Sequence, residues 1–434
     1  MQAFGLSCQG GLNTNLNQFQ MLEQPGFATE LQNFEVSIDG GYRRINGYTL
    51  YGGGSAARPN SSNSILGLFV YADGVIACSG TNIYFSLDGE SWLQINRSSV
   101  SGSGDNYSTF TGRSTAARTT QGQATFALFE GNSVYGEVVI TDTGALTDRT
   151  FFYEEITVSG THYPKFCTIH DKHLVVAGAA TALNTIFYSG TSDINDFTSS
   201  GSGSIVLDDQ VVGIKSFRGD LIIFCKNSIY KLSDINISAS IAITPITQNV
   251  GCLDGHSIQE IGGDLLFLSP DGFRLVAGTA RIGDVELSSV SRQIQSIVSS
   301  IAGSIDSFII SSAVLRNKSQ YRLFYSSSTG STATSKGIIG TITPNGFEWS
   351  ETIGIQAHGF TSGFNNDSVE KIYHGDKDGY VYNHNTGNDF NPAGTQTNID
   401  ARYKTPNLDF GDAGTLKSLH YTKISFTPEG TVQP

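Results

Sequence analysis

The 434-residue sequence predicts an all-β protein, most simply a β-propeller of roughly seven antiparallel blades. Three observations point there. Turns are punctuated by glycine, with 50 Gly against 10 Pro, as tight hairpins require. Short apolar runs are rich in aromatic residues, 26 Phe and 18 Tyr, which suit half-buried strands. One phrase recurs along most of the chain, a polar or Asp-containing turn, about four apolar residues, a second turn and an aromatic strand, at steps of about 45 to 55 residues, the length of a four-stranded blade.

Seven copies can be placed. The first is Asp73–Cys78 with Thr81–Phe85, and the second Ala124–Phe129 with Ser133–Tyr135. Asp171–Ala177 with Thr185–Tyr188 is the third, and Gly219–Cys225 with Asn227–Leu232 the fourth. The fifth, Gly263–Leu268 with Asp271–Val276, nearly repeats the fourth. Gln320–Tyr325 returning at Gly337–Gly340 is the sixth, and Glu370–Gly375 with Asp378–Tyr382 the seventh. Each unit is a small sheet that cannot bury both faces alone, so a closed ring is the economical way to build a core.

Outside the repeats, Leu31–Ile38, Asp39-Gly40-Gly41 and Tyr42–Ile45 read as a hairpin. The stretch from Gly10 to Phe27 is rich in Asn and Gln without periodicity and reads as an extended arm that needs a surface to hold it. Gly52–Gly54 opens a polar linker. Leu287–Ile301, with Val290, Ile294, Ile297, Val298 and Ile301 at near-helical spacing, predicts one short helix packed on the rim. The expected organisation is an N-terminal arm and hairpin over 1–58, a repeat domain over 59–400 and a C-terminal strand segment over 401–434.

Composition narrows the function. A net charge of -13 argues against a protein that grips nucleic acid by neutralising phosphates. Charged residues are only 15%, against roughly 25% in a typical domain, so Ser, Thr, Asn and Gln supply the polar surface. The five cysteines, Cys8, Cys78, Cys167, Cys225 and Cys252, show no C-x-x-C spacing and read as small hydrophobes of a reducing compartment. The start MQAFGLSCQGG has no basic–apolar leader and no run approaches a membrane span, so a soluble protein not exported by a cleaved peptide is expected.

No constellation of residues forms a catalytic signature: the sequence lacks a G-x-S-x-G elbow, a phosphate loop and a dinucleotide fingerprint. No catalytic residue, cofactor site or metal site is expected. His170 and His173 lack a third ligand and read as a turn. Asp376-Lys377-Asp378-Gly379 carries a fragment of a calcium loop, better explained as a hairpin turn. Ser86-Leu87-Asp88-Gly89-Glu90-Ser91-Trp92 resembles the structural Asp-box of sialidase-like propellers.

Several phrases, in order, resemble the tail nozzle proteins (packaged-DNA stabilisation or tail tubular B-like) of short-tailed bacteriophages. They are Gly10–Asn13, Gln24–Gly26, Leu31–Val36, Gly40–Tyr48, Phe217–Phe224, Gly251-Cys252, Ser269–Gly272, Arg281–Val285, Gly375–Tyr382 and Thr405–Asp412. Gln24 stands where the family doubles its proline, and the chain stops soon after Phe426–Gly430, earlier than that family's pattern. The resemblance implies a structural, non-enzymatic virion protein made in the bacterial cytoplasm. It implies a homo-oligomeric ring, six-fold in that family, below an adaptor and near tail fibre, spike or tip proteins. Genomic DNA would be retained in the channel and pass without sequence-specific binding. The alternative is a receptor- or glycan-binding tail propeller using Tyr107, Trp349, Tyr373 and Tyr380 as sugar platforms.

Overall fold

A computed structural model describes residues 5–425 except 25, 38–39, 62, 72, 81, 98–114, 120–124, 130–135, 142–149, 157, 159–161, 194–195, 238–239, 277–288, 328, 411 and 413. The fold is an all-β propeller. Four short strands precede the repeats: β1 (Glu30–Gln32), β2 (Phe34–Val36), β3 (Tyr42–Arg44) and β4 (Tyr48–Leu50). The first two meanders are β5 (Ile65–Tyr71), β6 (Gly74–Ser79), β7 (Asn82–Ser86) and β8 (Leu93–Arg97), then β9 (Thr115–Thr119), β10 (Thr125–Phe129), β11 (Gly136–Thr141) and β12 (Thr150–Glu155). The third and fourth are β13 (Phe166–His170), β14 (His173–Ala179), β15 (Ala182–Tyr188) and β16 (Gly203–Val206), then β17 (Val211–Phe217), β18 (Asp220–Cys225), β19 (Ile229–Ser233) and β20 (Ala242–Thr247).

The fifth is β21 (Gln259–Ile261), β22 (Asp264–Ser269) and β23 (Gly272–Leu275). The sixth is β24 (Phe308–Leu315), β25 (Gln320–Ser327), β26 (Lys336–Thr343) and β27 (Gly346–Ile353). The seventh is β28 (Gly359–Phe364), β29 (Glu370–Gly375) and β30 (Val381–His384), with β31 (Arg402–Lys404) after it. Six of the seven recurring phrases fall on the second and third strands of a meander, and Thr125–Phe129 of the other falls on a second strand; Thr81, Ala124 and Ser133–Tyr135 lie outside the described residues.

The meanders form six blade sheets, not the roughly seven expected. Parallel pairing of β12 with β8, Phe152 opposite Asn96 and Tyr153 opposite Arg97, joins the first two meanders into one eight-stranded sheet. A sequence step counts meanders and cannot register a bond between their outer strands.

The first strands of the meanders pack side by side around the ring: β9 against β13, β13 against β17, β21 against β24, β24 against β28 and β28 against β5. Apolar residues fill the wedges between sheets. Ile214, Leu221 and Ile223 meet Val175, Ala177 and Tyr188, while Phe224 packs against Phe267 with tilted rings and centroids 5.2 Å apart. Each fully buried side chain of this size contributes about 1.5–3 kcal/mol.

The ring closes through the start of the chain. β4 pairs antiparallel with β30, Tyr48 opposite His384 and Leu50 opposite Tyr382, and so completes the seventh meander's sheet. Tyr51, Ile65, Leu68, Val75 and Ala77 then pack against Tyr373 and Val381. The approach is close: a Cβ on Gly375 would lie 2.6 Å from three side-chain atoms of Ile65. On the sixth sheet, β1 adds parallel to β27 and β31 adds antiparallel to β1. Strands from 1–58 and 401–434 thus sit within the sheets of the repeat domain.

Three local expectations are refined. The strand predicted over Leu31–Ile38 breaks at Asn33, whose φ of 55° turns the chain between β1 and β2. Its side chain makes that turn worthwhile, accepting from Ile353 N at 2.9 Å and donating to Asp400 O at 2.8 Å and Ile353 O at 3.1 Å. The Asn-rich arm holds a short helix, α1 (Gln18–Leu22), started by a reciprocal capping box between Asn17 and Gln20. The predicted rim helix is α2 (Gln295–Gly303), which buries Val298 and Ile301, with Ile294 just ahead of it.

Tyr48 is the closure strand's main anchor, its ring against Tyr382, Phe390 and His374 at 4.7–5.1 Å. Tyr48→Ala is expected to cost about 3–5 kcal/mol, as large aromatic truncations in cores do, read as a lowered urea midpoint by circular dichroism.

Candidate functional site

The residues sequence reasoning singled out are not brought together. His170 Nδ1 meets Ser216 Oγ at 2.9 Å, whereas His173 lies between Ser189 O and Asn236 Oδ1. Both imidazoles tie strands and turns. Asp376 is satisfied within its own turn, accepting from Asp378 N and Tyr380 N at 2.9 Å each and from Tyr382 Oη at 2.7 Å. Burial nevertheless raises its pKa, an effect those hydrogen bonds only partly offset. Among the described residues, no group of three or more His, Cys, Asp or Glu side chains is placed to hold a metal ion.

The Asp-box resemblance is structural. Asp88 Oδ1 accepts from Glu90 N at 2.9 Å and Ser91 N at 3.2 Å, while Ser86 Oγ accepts from Gly89 N at 2.8 Å. Desolvation of this carboxylate opposes the shift, but the donors around it win and hold its pKa below the usual value. Trp92 Nε1 donates to Ala57 O at 3.0 Å and its ring packs on Tyr51. The same S-x-D-G phrase recurs at Ser269-Pro270-Asp271-Gly272, where Ser269 Oγ donates to Asp271 Oδ1 at 2.6 Å.

Of the four aromatic residues assigned as sugar platforms, Tyr107 lies outside the described residues. Trp349 is buried between Phe273 and Phe347, with Nε1 donating to Val290 O at 2.8 Å, and Tyr373 belongs to the closure core. Both are corrected from surface platforms to packing residues. Tyr380 is half-buried beneath the Arg58 guanidinium. Four of the five cysteines are buried, and burial pushes the Cys225 and Cys252 thiols up to about 12, so they pack as hydrophobes.

What sequence reasoning missed is a buried charge cluster assembled from four parts of the chain. Glu35 on β2, 1% exposed, accepts from Arg43 Nε at 2.8 Å, Lys318 Nζ at 2.7 Å and Arg322 Nη2 at 2.8 Å. Arg322 is fully buried and its Nη1 donates to His384 Nε2 at 2.9 Å, which leaves the His384 proton on Nδ1. That proton is directed at His374 Nδ1, 3.1 Å away. Burial pushes His374 down to about 3, and burial together with the neighbouring His374 and cations pushes His384 well below its usual value, so both rings are neutral.

Burial alone would raise the Glu35 pKa, but Arg322, Lys318 and Arg43 together lower it. Burial and the crowding of Arg322 outweigh the pull of Glu35 on Lys318, pushing its ammonium down to about 8. With three cations around one carboxylate, the anion gains and the surplus cation loses. The cluster clamps hairpin β2–β3 onto β25 and β30, and its sealed position suits anchoring rather than chemistry on a ligand.

Glu35→Gln leaves three cations without their counter-charge and is expected to cost about 3–5 kcal/mol. Because the folded pKa of Glu35 is lowered, its contribution is present above the ordinary 4.5 and is lost as pH falls through the folded value. Urea titrations across the acid range are expected to show a steeper loss in the wild type than in Glu35→Gln.

No family model matches the chain, and no curated protein matches it. Among solved structures, one similar chain is described as PorZ, an essential bacterial surface component of the type-IX secretion system of human oral-microbiomic Porphyromonas gingivalis. The identity is 12% and the TM-score 0.44, over 82% of this chain and 40% of that one, so this chain spans less than half of that neighbour's length and the likeness carries no functional argument.

Proposed function

We propose that this chain is a structural, non-enzymatic virion protein, a subunit of the tail nozzle ring of a short-tailed bacteriophage that retains and conducts genomic DNA. The observation that carries the reading is the ordered series of phrases from Gly10 to Asp412 that resembles that family. Those phrases include the hairpin and closure strand at Leu31–Val36 and Gly40–Tyr48, and central strands or turns at Phe217–Phe224, Ser269–Gly272 and Gly375–Tyr382. Arg281–Val285 lies outside the described residues.

The net charge of -13 supports the same reading. A polyanion passes more freely beside like charge than beside a basic wall that binds its phosphates. In this reading the protein is made in the host cytoplasm and ends in the virion tail, a six-fold ring between an adaptor above and fibre, spike or tip proteins nearby. The glycan-binding alternative loses support, because Trp349 and Tyr373 are enclosed in the core.

Electron microscopy of the purified assembly is expected to reveal rings with an axial hole, and virions are expected to contain the chain. A chain that stays monomeric with its tail neighbours, and is missing from virions, overturns the proposal.

A further inference from the structure

Residues 416–425 form neither helix nor strand and are exposed throughout. Leu416, Leu419, Tyr421 and Ile424 are 101%, 71%, 72% and 76% exposed. Four large apolar side chains within nine positions, in a segment that is neither helix nor paired strand, is a cost unless another surface covers them. Residues 415–424 also carry Lys417 and Lys423 and no carboxylate, against the overall charge of -13. A segment of this kind reads as a strand awaiting a sheet edge.

Most outer edges among the described residues are closed to it. β8 and β12 pair with each other. Tyr48 N on β4 donates to Asp389 O, and Phe273 O on β23 accepts from Val290 N. β20 carries Pro245, which lacks the N–H a partner strand needs. β31 is only three residues long, and Asp400 and Glu30 balance its Arg402, so it offers no acidic surplus to a basic strand.

Among the described residues the outer edge best suited to it is β16, which pairs with β15 and has neither proline nor charge within it. Val206 on it is 68% exposed, and Leu183 on the neighbouring strand is 44% exposed. Residues 190–210 carry Asp193, Asp196, Asp208 and Asp209 and no Lys or Arg. Lys172 and Lys226 contact the ends of this stretch through their backbones, so four carboxylates against two cations leave two in surplus.

We infer that residues 415–424 of one copy add as an antiparallel strand to the free edge of β16 in a second copy. With Leu419 opposite Val206, Tyr421 falls opposite Ser204 and Lys417 opposite Asp208, so one register satisfies apolar and charged partners together. The main-chain ladder supplies affinity, and the Lys–Asp pairing selects this edge over the charge-balanced one at β31. The inference rests on the proposed self-assembly and names the contact that would link neighbouring subunits.

The test mixes two full-length proteins, both carrying Cys8→Ser, one with Leu419→Cys and the other with Val206→Cys. Mild oxidation is expected to give a covalent pair containing one of each, reduced in yield by high salt because the docking is partly electrostatic. The double variant Leu419→Asp, Tyr421→Asp alters only exposed side chains, so folding is not at issue. It is expected to weaken self-association at least tenfold by analytical ultracentrifugation. Absence of the mixed pair, or unchanged association of the double variant, overturns the inference. Rings that still form in the double variant overturn strand donation and leave the nozzle reading standing. Cross-linked pairs without an axial hole do the reverse, and a strictly monomeric chain overturns both.

Discussion

The structure depends on the pairing of β4 with β30. Each small sheet buries its two faces only against neighbours, so a linear stack would leave the first and last sheets with an apolar face in water. Supplying the outer strand of the last sheet from the beginning of the chain makes those two sheets neighbours. It also draws Tyr51 between Tyr373 and Trp92 and brings Gly375 hard against Ile65. Hydrogen bonding and packing at this seam are inseparable, because the residues that follow the closure strand also fill the wedge.

The charge cluster supports that seam from one side. A buried arginine and carboxylate gain little net energy over an apolar pair of the same size, but removing either exposes the full desolvation cost of the other. The hairpin therefore has one seating: β2 brings Glu35, β3 brings Arg43, and Arg322 and Lys318 come from the sixth meander. Tyr42 extends the clamp to the arm by donating to Glu348 at 2.7 Å while accepting from Gly11 N at 2.6 Å. Asn33 anchors the other flank through β27 and Asp400.

Legibility in the sequence followed burial. The second strands of the described meanders are mostly covered on both faces, and so Leu221–Cys225 or Leu265–Leu268 stand out as unbroken apolar runs. First strands mix half-buried with buried positions, as in β17 with Lys215 and Ser216, and outer strands such as β16 are short and half exposed; neither announces itself. The charge cluster was illegible because its members lie at 35, 43, 318, 322, 374 and 384, a spacing with meaning only once the ring is closed. Trp349 misled because it follows Glu348 near a glycine-marked turn and resembled a loop aromatic, whereas β27 turns it inward onto Phe273. The S-x-D-G turns were the most readable detail, since their bonds are confined to a few consecutive residues.

Ring closure through the N-terminus has a kinetic side. During synthesis, Tyr48–Leu50 emerge first but cannot pair until Val381–His384 have been made, and Glu30–Gln32 must wait still longer for Arg402–Lys404. Contacts spanning more than three hundred residues raise the contact order and delay the reward for ordering the chain. Meanwhile the nascent protein holds an unpaired strand and an uncovered sheet face, the surfaces that recruit chaperones or drive misassembly. The seam that makes the finished ring stable is therefore also its slowest and most vulnerable step on the ribosome.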